Sequence, residues 1–208
     1  GLLALLAVST TLNSRGALDA FLRFTDPIGG AVPCPAESSD VQFPGAEGWF
    51  RVMSFDKGIL NSTTIGSATG GAGAGKTTFR NFRFTKPAGA ASPALFKTSA
   101  TGGHYQAELA LRQASLDGKP LKPFYTAKFR TIFVDSINWS GPGDEAPVES
   151  VATSYIAIEW SFTRFVAEGS PLTTVTVNWD QVANAGGLGP FPSPNLPPTL
   201  SYPASQSV

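Results

Sequence analysis

Apolar and polar residues alternate along most of the middle of the chain. Within residues 104–115, every second residue from 105 to 111 is apolar, and these residues are Tyr105, Ala107, Leu109 and Leu111. A period of two is typical of an antiparallel strand with one buried face. Strand-like runs also occur in residues 17–24, 48–60, 77–86, 123–139, 149–165 and 173–182. The pattern therefore predicts an all-β, or mainly β, domain over residues 18–182.

One short segment has the signals of a helix instead. Residues 92–103 begin with Ser92 as a candidate N-cap, followed by Pro93 at the first helical position. Gly102 then provides a stop signal.

The N-terminal segment, residues 1–17, is predicted to be an apolar arm or the remnant of a signal peptide. Its run GLLALLAVSTTL is shorter than the roughly 20 residues that span a bilayer, so no membrane span is expected. Its length suits a signal-peptide core, but no basic residue precedes it. Such an arm needs a surface on which to bury its side chains, and strand addition to a neighbouring subunit is one solution. Folding over its own domain is the alternative. The residues predicted to dock are Leu2, Leu3, Leu5, Leu6, Val8 and Leu12.

The C-terminal segment, residues 183–208, has a different composition. It is rich in Pro, Gly and Ser and contains no charged residue. Proline disfavours both a helix and a central strand, so we predict an extended tail that is flexible or laid along a surface. The candidate anchors are Phe191, Leu196, Leu200 and Tyr202.

The charge composition narrows the classes of function. Charged residues make up 14% of the chain, below the usual value of about 25%. Lys and Arg number 15, and Asp and Glu also number 15, so the net charge is zero. This balance argues against a nucleic-acid partner and favours self-association.

The chain offers few residues for catalysis or metal binding. Cys34 and His104 are the single residues of their types, so an intrachain disulfide and a zinc site are excluded. Cys34 is expected to be a free thiol in a loop, and His104 to have a structural role at a turn. Asp144, Glu145 and Glu149 show no spacing that demands a paired-carboxylate site. Most of the usual parts of a catalytic site are therefore missing, although a catalytic role for His104 stays open at this point, and we predict no metal and no cofactor.

Residues 70–77 read GGAGAGKT, which formally matches the phosphate-binding P-loop pattern. A P-loop joins a buried strand to a helix N-terminus, whose amides hold the phosphates. Here the preceding residues are small and polar, and the following TTFRNFRFTK has a strand pattern. We interpret the motif as a Gly-rich loop leading into a strand, without nucleotide binding.

Several segments, taken in order, resemble a known family. They are DAFLRF, GWFRVMSFDKG, the GGAGAGK loop, FRNFRFTK, the helix SPALFKTSATG, HYQAELALRQA and SYIAIEWSFTRF. This order and spacing resemble the haemolysin-coregulated protein (Hcp) family, the inner-tube subunits of type VI secretion, over about residues 18–182.

The resemblance implies a β-barrel of two antiparallel sheets with one flanking helix, and hexameric rings that stack into a tube. It also implies an absence of catalysis, and effector cargo in the lumen as a further candidate partner. The Gly-rich loop would contact the next ring, which assigns ring stacking to Gly70, Gly71, Gly73, Gly75 and Lys76.

The apolar arm, the insert at residues 32–47 and the Pro-rich tail depart from the family pattern. They keep a second version open, in which Hcp-like subunits form a free-standing extracellular filament tied by terminal arms. A third hypothesis, from another class, is a monomeric secreted effector or carbohydrate-binding β domain. Trp49, Trp139, Trp160 and Trp179 would be the candidate sugar platform, although core or interface packing is the preferred interpretation. In each version the protein is expected to be secreted or extracellular.

Overall fold

The computed structural model describes residues 18–26, 34–62, 76–113, 122–165 and 171–187. These residues form eleven strands, one α-helix and one short 3-10 helix at Gly45–Glu47. The strands are β1 (Leu18–Thr25), β2 (Phe50–Val52), β3 (Ser54–Asp56), β4 (Ile59–Asn61), β5 (Thr77–Phe79), β6 (Phe82–Pro87), β7 (His104–Gln113), β8 (Tyr125–Ser140), β9 (Val148–Phe165), β10 (Pro171–Asp180) and β11 (Ala185–Gly186). The helix α1 spans Ser92–Thr101.

Nine strands form one antiparallel sheet, and β4 and β5 pair separately. The main path runs β11-β10-β9-β8-β7-β1-β2. Strand β9 has 18 residues, and its second edge is shared between two partners. Residues 148–153 pair with β6, whereas residues 157–165 pair with β10. The sheet therefore divides at β9 into a long wall and a shorter layer made with β6 and β3.

The sheet is not closed into the predicted barrel. The chain crosses from β2 to β3 at Met53, whose backbone N donates to the carbonyl of Thr85 at 2.8 Å. Pairing cannot continue beyond this bond because Pro87 has no N–H, and its carbonyl accepts from Lys86 Nζ at 2.7 Å. The strands β2 and β6 therefore separate. The predicted mainly β fold with one short helix is confirmed, with the sheet left open at this point.

The core lies between the wall and the shorter layer and is dominated by phenylalanine. Phe24, Phe82, Phe84 and Phe129 are fully buried, and the rings of Phe82 and Phe129 stack with centroids 4.6 Å apart. Tyr155 packs edge-on against Phe129 at 4.9 Å. These residues occupy alternate positions of their strands, as the period-two pattern predicts.

The opposite face of β1 and β7 is also buried, which the alternation did not indicate. Residues 34–49 fold over it, and Phe43 and Trp49 pack with Phe21 and Ala110 in a second cluster. The guanidinium of Arg112 lies 5.1 Å from the Phe21 ring centroid. The second half of the predicted insert at residues 32–47 thus acts as a cover over this face, whereas Cys34 and Ala36 pack in the main core. We call the second cluster the covered face.

The helix begins and ends close to the predicted positions, but its N-cap differs. Ala91, not Ser92, occupies the cap position and makes no side-chain cap bond. Instead the carboxylate of Glu37 accepts from the backbone N of Ala90 at 2.6 Å. Gly102 ends the helix in the left-handed conformation with φ 65°, as expected for a glycine stop.

Two of the predicted long strands are interrupted. Residues 48–60 divide into three short strands, and residues 77–86 divide into β5 and β6. At the C-terminal end, β11 lies inside the segment predicted to be a tail and pairs with β10. The apolar arm at residues 1–17 lies outside the described residues, as do the tail residues after Gly187.

Candidate interaction surface

Two rows of core side chains continue across the wall until they reach solvent. Cross-strand neighbours point to the same face of a sheet. One row consists of Leu22, Leu109, Ala127, Trp160 and Val177. The first three are fully buried, but Trp160 is 43% exposed and Val177 is 55% exposed. The core face therefore extends past the part that the molecule itself covers.

The adjacent row behaves in the same way. It consists of Ala20, Leu111, Tyr125, Phe162 and Val175. Leu111 is buried, whereas Phe162 is 47% and Val175 60% exposed. We call the patch formed by Trp160, Phe162, Val175 and Val177 the uncovered face.

The exposure follows from the extent of the shorter layer. Strand β6 pairs only with residues 148–153 of β9, and the second half of β9 pairs with β10 instead. The apolar side chains on this second half therefore extend beyond the layer that buries the first half. The sequence of β9 does not mark this change, because apolar residues occur in both halves: Tyr155–Ile158 are consecutive, and Trp160 and Phe162 follow at alternate positions.

The reverse face of the same strands carries hydroxyl groups. Ser161 and Thr176 are hydrogen-bonded at 2.9 Å, and Thr163 and Thr174 at 3.0 Å. The register places Thr126 next to Ser161 on this face. Strands β9 and β10 thus have one apolar and one hydroxyl face, both accessible, and this asymmetry marks the apolar side as the one that a partner would bury.

Strand β10 also presents a long edge. Among the described residues, its only partner besides β9 is β11, at Trp179 and Asp180. Its residues 171–178 contain no charge and have a single proline at the start. Edge strands that avoid pairing usually carry charges, bulges or prolines along their length. This edge is therefore suited to pairing with another strand.

Lys57 is the cation over the inner part of this surface. Its Nζ lies 5.1 Å from the Trp160 ring centroid and 5.8 Å from that of Tyr125. Burial lowers the pKa of Lys57 because it disfavours the charged form. Burial also raises the pKa of Tyr125 to about 12.

The predicted stacking loop lies in the part of the sequence that connects β4 to β5. Lys76 is exposed and directly precedes β5. Gly70, Gly71, Gly73 and Gly75 lie outside the described residues. Residues Thr77–Phe79 form a strand rather than a helix, which removes the helix N-terminus that a P-loop requires.

Other candidate residues are part of the scaffold. The Cys34 thiol is free and buried, and burial raises its pKa to about 12, so it is poorly reactive. His104 is exposed at the start of β7, with its ring 5.6 Å from that of Phe133. Asp144 and Glu145 are exposed in the turn between β8 and β9.

Glu149 is fully buried and forms an ion pair with Lys86 at 2.8 Å. Burial alone would raise the pKa of Glu149. The bonds from Lys86, Ser92 and Trp139, together with the charge of Lys86, outweigh burial and lower it. The pair therefore holds α1 and the end of β8 to the sheet.

No group of three or more metal-ligating side chains occurs within the residues that the structure describes. In the same residues, no helix has the length and apolar character to cross a bilayer.

Comparison with known proteins identifies the family. A family model described as "Type VI secretion system effector, Hcp" matches residues 37–162, more than half of the chain. The crystal structure of Hcp1 from Salmonella typhimurium is 28% identical, with a TM-score of 0.59, and the match covers 82% of this chain and 99% of that one. No curated protein matches the chain.

Two further structures support the fold. One is described as a type six secretion system protein, with a TM-score of 0.69 at 24% identity, covering 82% of this chain and 99% of the other. Hcp1 from E. coli EAEC 042 has a TM-score of 0.59 at 23% identity, covering 79% and 99%. The chain belongs to the Hcp family of type VI secretion. The predicted family and structural role as a tube subunit are confirmed.

The sequence did not single out the uncovered face. The sequence makes Trp160 a candidate for a sugar platform or, by preference, for core or interface packing. Phe162, Val175 and Val177 only belong to the strand-like runs at residues 149–165 and 173–182. The signal that distinguishes them is the position at which β6 stops pairing with β9. That position depends on a contact between segments about 70 residues apart in the chain.

Proposed function

We propose that the uncovered face is the surface through which one copy of this subunit binds the next around a ring. The observation that carries the proposal is the continuation of the core rows to Trp160, Phe162, Val175 and Val177, which remain 43% to 60% exposed. Apolar side chains aligned with a core gain most from burial against a complementary apolar surface.

The contact is heterologous, with different surfaces of the two copies meeting. Such contacts produce rings when the rotation closes. The free edge of β10 supports this arrangement because it offers backbone groups beside the uncovered face. The zero net charge of the chain adds little repulsion between copies. From the family resemblance, we infer that the ring is a hexamer.

Stacking of rings into a tube is assigned to the Gly-rich loop. Gly70, Gly71, Gly73, Gly75 and Lys76 would contact the next ring, and the exposure of Lys76 supports this role for the base of the loop. We infer that the assembled protein is secreted, with effector cargo in the lumen and without catalytic activity of its own.

The apolar arm distinguishes two forms of this assembly. In a free-standing extracellular filament, Leu2, Leu3, Leu5, Leu6, Val8 and Leu12 dock on a neighbouring subunit, and the tail anchors Phe191, Leu196, Leu200 and Tyr202 reinforce the contact. Deleting residues 1–17 would then abolish fibres in negative-stain images. Tubes of unchanged length after the deletion would favour the injection-system form, in which the arm is dispensable.

The two faces of β10 allow a matched test of the interface. Val177→Lys places a charge on the uncovered face, whereas Thr176→Lys places it on the hydroxyl face one residue away. We expect Val177→Lys to give monomers and Thr176→Lys to give rings, measured by size-exclusion chromatography with light scattering. Circular dichroism checks that both variants remain folded. Rings from Val177→Lys together with monomers from Thr176→Lys would contradict the assignment of the interface to the apolar face.

A further inference from the structure

The hairpin β4–β5 is stabilised by few interactions between its own two strands. Each of its strands has three residues, and the pair forms a separate two-stranded sheet. Isolated two-stranded hairpins are marginally stable in water. Ile59 and Leu60 are exposed, so burial of β4 contributes little. The direction of this hairpin must therefore be determined by contacts from elsewhere in the molecule.

Those contacts come from the turn that follows β10. Gln181 Oε1 accepts from the backbone N of Phe79 at 3.1 Å, and its Nε2 donates to the carbonyl of Tyr155 at 2.7 Å. The backbone N of Gln181 also donates to the carbonyl of Ile156 at 3.0 Å. One side chain thus joins β5 to the part of β9 that lies between its pairings with β6 and β10.

A second side chain of the turn holds the other end of β5. Asn184 Oδ1 accepts from the backbone N of Thr77 at 3.4 Å. Asn184 adopts a left-handed conformation with φ 50°, which asparagine tolerates better than most residues. The carboxylate of Asp180 stabilises the turn by accepting from the backbone N of Val182 and of Ala183 at 2.8 and 2.9 Å.

We propose that Gln181 and Asn184 are positioning residues that orient the hairpin β4–β5, and through it the ring-stacking loop, whose residue Lys76 directly precedes β5. This inference rests on the proposed function of that loop. The hydrogen bonds of both residues run to β5 and β9 and not to the uncovered face, so their loss should affect stacking and leave the ring intact. Phe79, stacked on Tyr155 at 5.1 Å, supplies the apolar part of the same contact.

Two variants remove the bonds with little other change. Gln181→Met keeps the length of the side chain and removes both of its hydrogen bonds. Asn184→Gly removes the Oδ1 acceptor and still suits a positive φ. Val182→Ala is the matched control, because Val182 lies in the same turn with an exposed side chain.

The experiment measures two properties of the full-length variants. Hydrogen–deuterium exchange of a peptide that includes Thr77 and Phe79 reports the opening of β5. Light scattering and negative-stain microscopy report ring mass and the number of rings per stack. We expect exchange about tenfold faster in Gln181→Met and Asn184→Gly, because one hydrogen bond shifts an opening equilibrium by about that factor. We also expect unchanged ring mass and shorter stacks, with Val182→Ala behaving as the unmodified protein.

Three outcomes would overturn the inference. Unchanged exchange in both variants would show that these residues do not hold β5. Faster exchange with stacks of normal length would show that the orientation of the hairpin does not matter for stacking. Loss of rings as well as stacks would indicate general destabilisation instead of positioning.

The unmodified protein tests the proposed stacking function separately from the variants. If the unmodified protein forms rings that do not stack, the stacking role of the loop is wrong, and the stacking part of this inference is wrong with it. The exchange rates would still decide whether Gln181 and Asn184 hold the hairpin.

Discussion

The covered face and the uncovered face are both aromatic patches on the same antiparallel wall, but they differ in what lies over them. On the covered face, Phe21 of β1 is 4% exposed beneath residues 34–49. On the uncovered face, Trp160 is 43% exposed. The first patch is completed within one chain, and we propose that the second is completed by another copy.

Their polar surroundings differ as well. Around the covered face, Arg112 hydrogen-bonds to Asp40 and Gln42, and Arg23 forms an ion pair with Glu108 at 2.8 Å. These charges pair at the rim of a patch that stays buried. The uncovered face is apolar apart from Lys57 at its inner side. Because the uncovered face has few charged groups, binding a partner there costs little desolvation free energy.

Substitution of one tryptophan in each patch should give the largest difference in stability between the covered and the uncovered face. Trp49→Ala should lower the free energy of unfolding by about 4 kcal/mol, because it empties a buried site. Trp160→Ala should lower it by only about 1 kcal/mol, because the side chain is half exposed. Urea unfolding in a Val177→Lys background would measure both values without a contribution from assembly. Equal losses of unfolding free energy in the two variants would contradict the difference in burial between the two patches.

Substitution of a charged residue at the rim of the covered face should give the next largest loss of unfolding free energy. Arg112→Met should cost about 2 to 3 kcal/mol, since it leaves Asp19 and Asp40 without their buried partner. Arg51→Met is the matched control, because Arg51 also pairs with Asp19 but its side chain is 69% exposed. We expect that control to remain within about 0.5 kcal/mol of the unmodified protein. A larger loss in the control would assign the stabilisation to the exposed pair.

Low pH should lower the free energy of unfolding, because protonation of Asp40 weakens the hydrogen bonds at the rim of the covered face. Burial acts to raise the pKa of Asp40, but hydrogen bonds from Arg112 and from the backbone of Gln42 and Phe43 outweigh it and lower the pKa below 3.8. A carboxyl with a lowered pKa in the folded state contributes stability at neutral pH, which is lost as the pH falls through 3.8 towards the folded value. In urea unfolding across this range, Asp40→Asn should show a flatter dependence on pH. An unchanged slope would contradict this role.

The smallest effect on stability is expected from Lys57→Met. Loss of its cation–π contacts and relief of its buried charge oppose each other, so unfolding should change by less than about 1 kcal/mol. Assembly through the uncovered face would bury the partly buried Lys57 further, so its removal should strengthen ring assembly. Further burial would lower the pKa of Lys57 again on assembly, so rings of the unmodified protein should become more stable as the pH rises. Sedimentation at several pH values measures this, and weaker rings in the variant would contradict it.

Much of the fold could be predicted because its signals are local. The alternation in residues 104–115 identified β7, and Pro93 and Gly102 bounded the helix within two residues. The breaks inside residues 48–60 and 77–86 were missed, because hydrogen bonds to distant strands decide where a short strand stops. Of the stacking loop, only Lys76 can be placed in the structure.

The interface residues and the positioning residues were missed for different reasons. Val175 and Val177 alternate with threonine, as side chains on any half-buried strand would, so the pattern could not tell burial by the chain from burial by a partner. Gln181 and Asn184 belong to no motif, and their roles arise only because β5 lies beside the turn. Side-chain contacts between distant segments produce no periodic pattern in the sequence.

The sequence by itself determined the class of the protein: mainly β, low in charge, and with the ordered segments of an Hcp subunit. These properties depend on local alternation and composition, which every strand carries independently of its neighbours. Only the tertiary structure decided which aromatic side chains are covered. Residues 34–49 reach one face of the wall and β6 stops partway along β9, so burial was determined by the extent of long-range pairing.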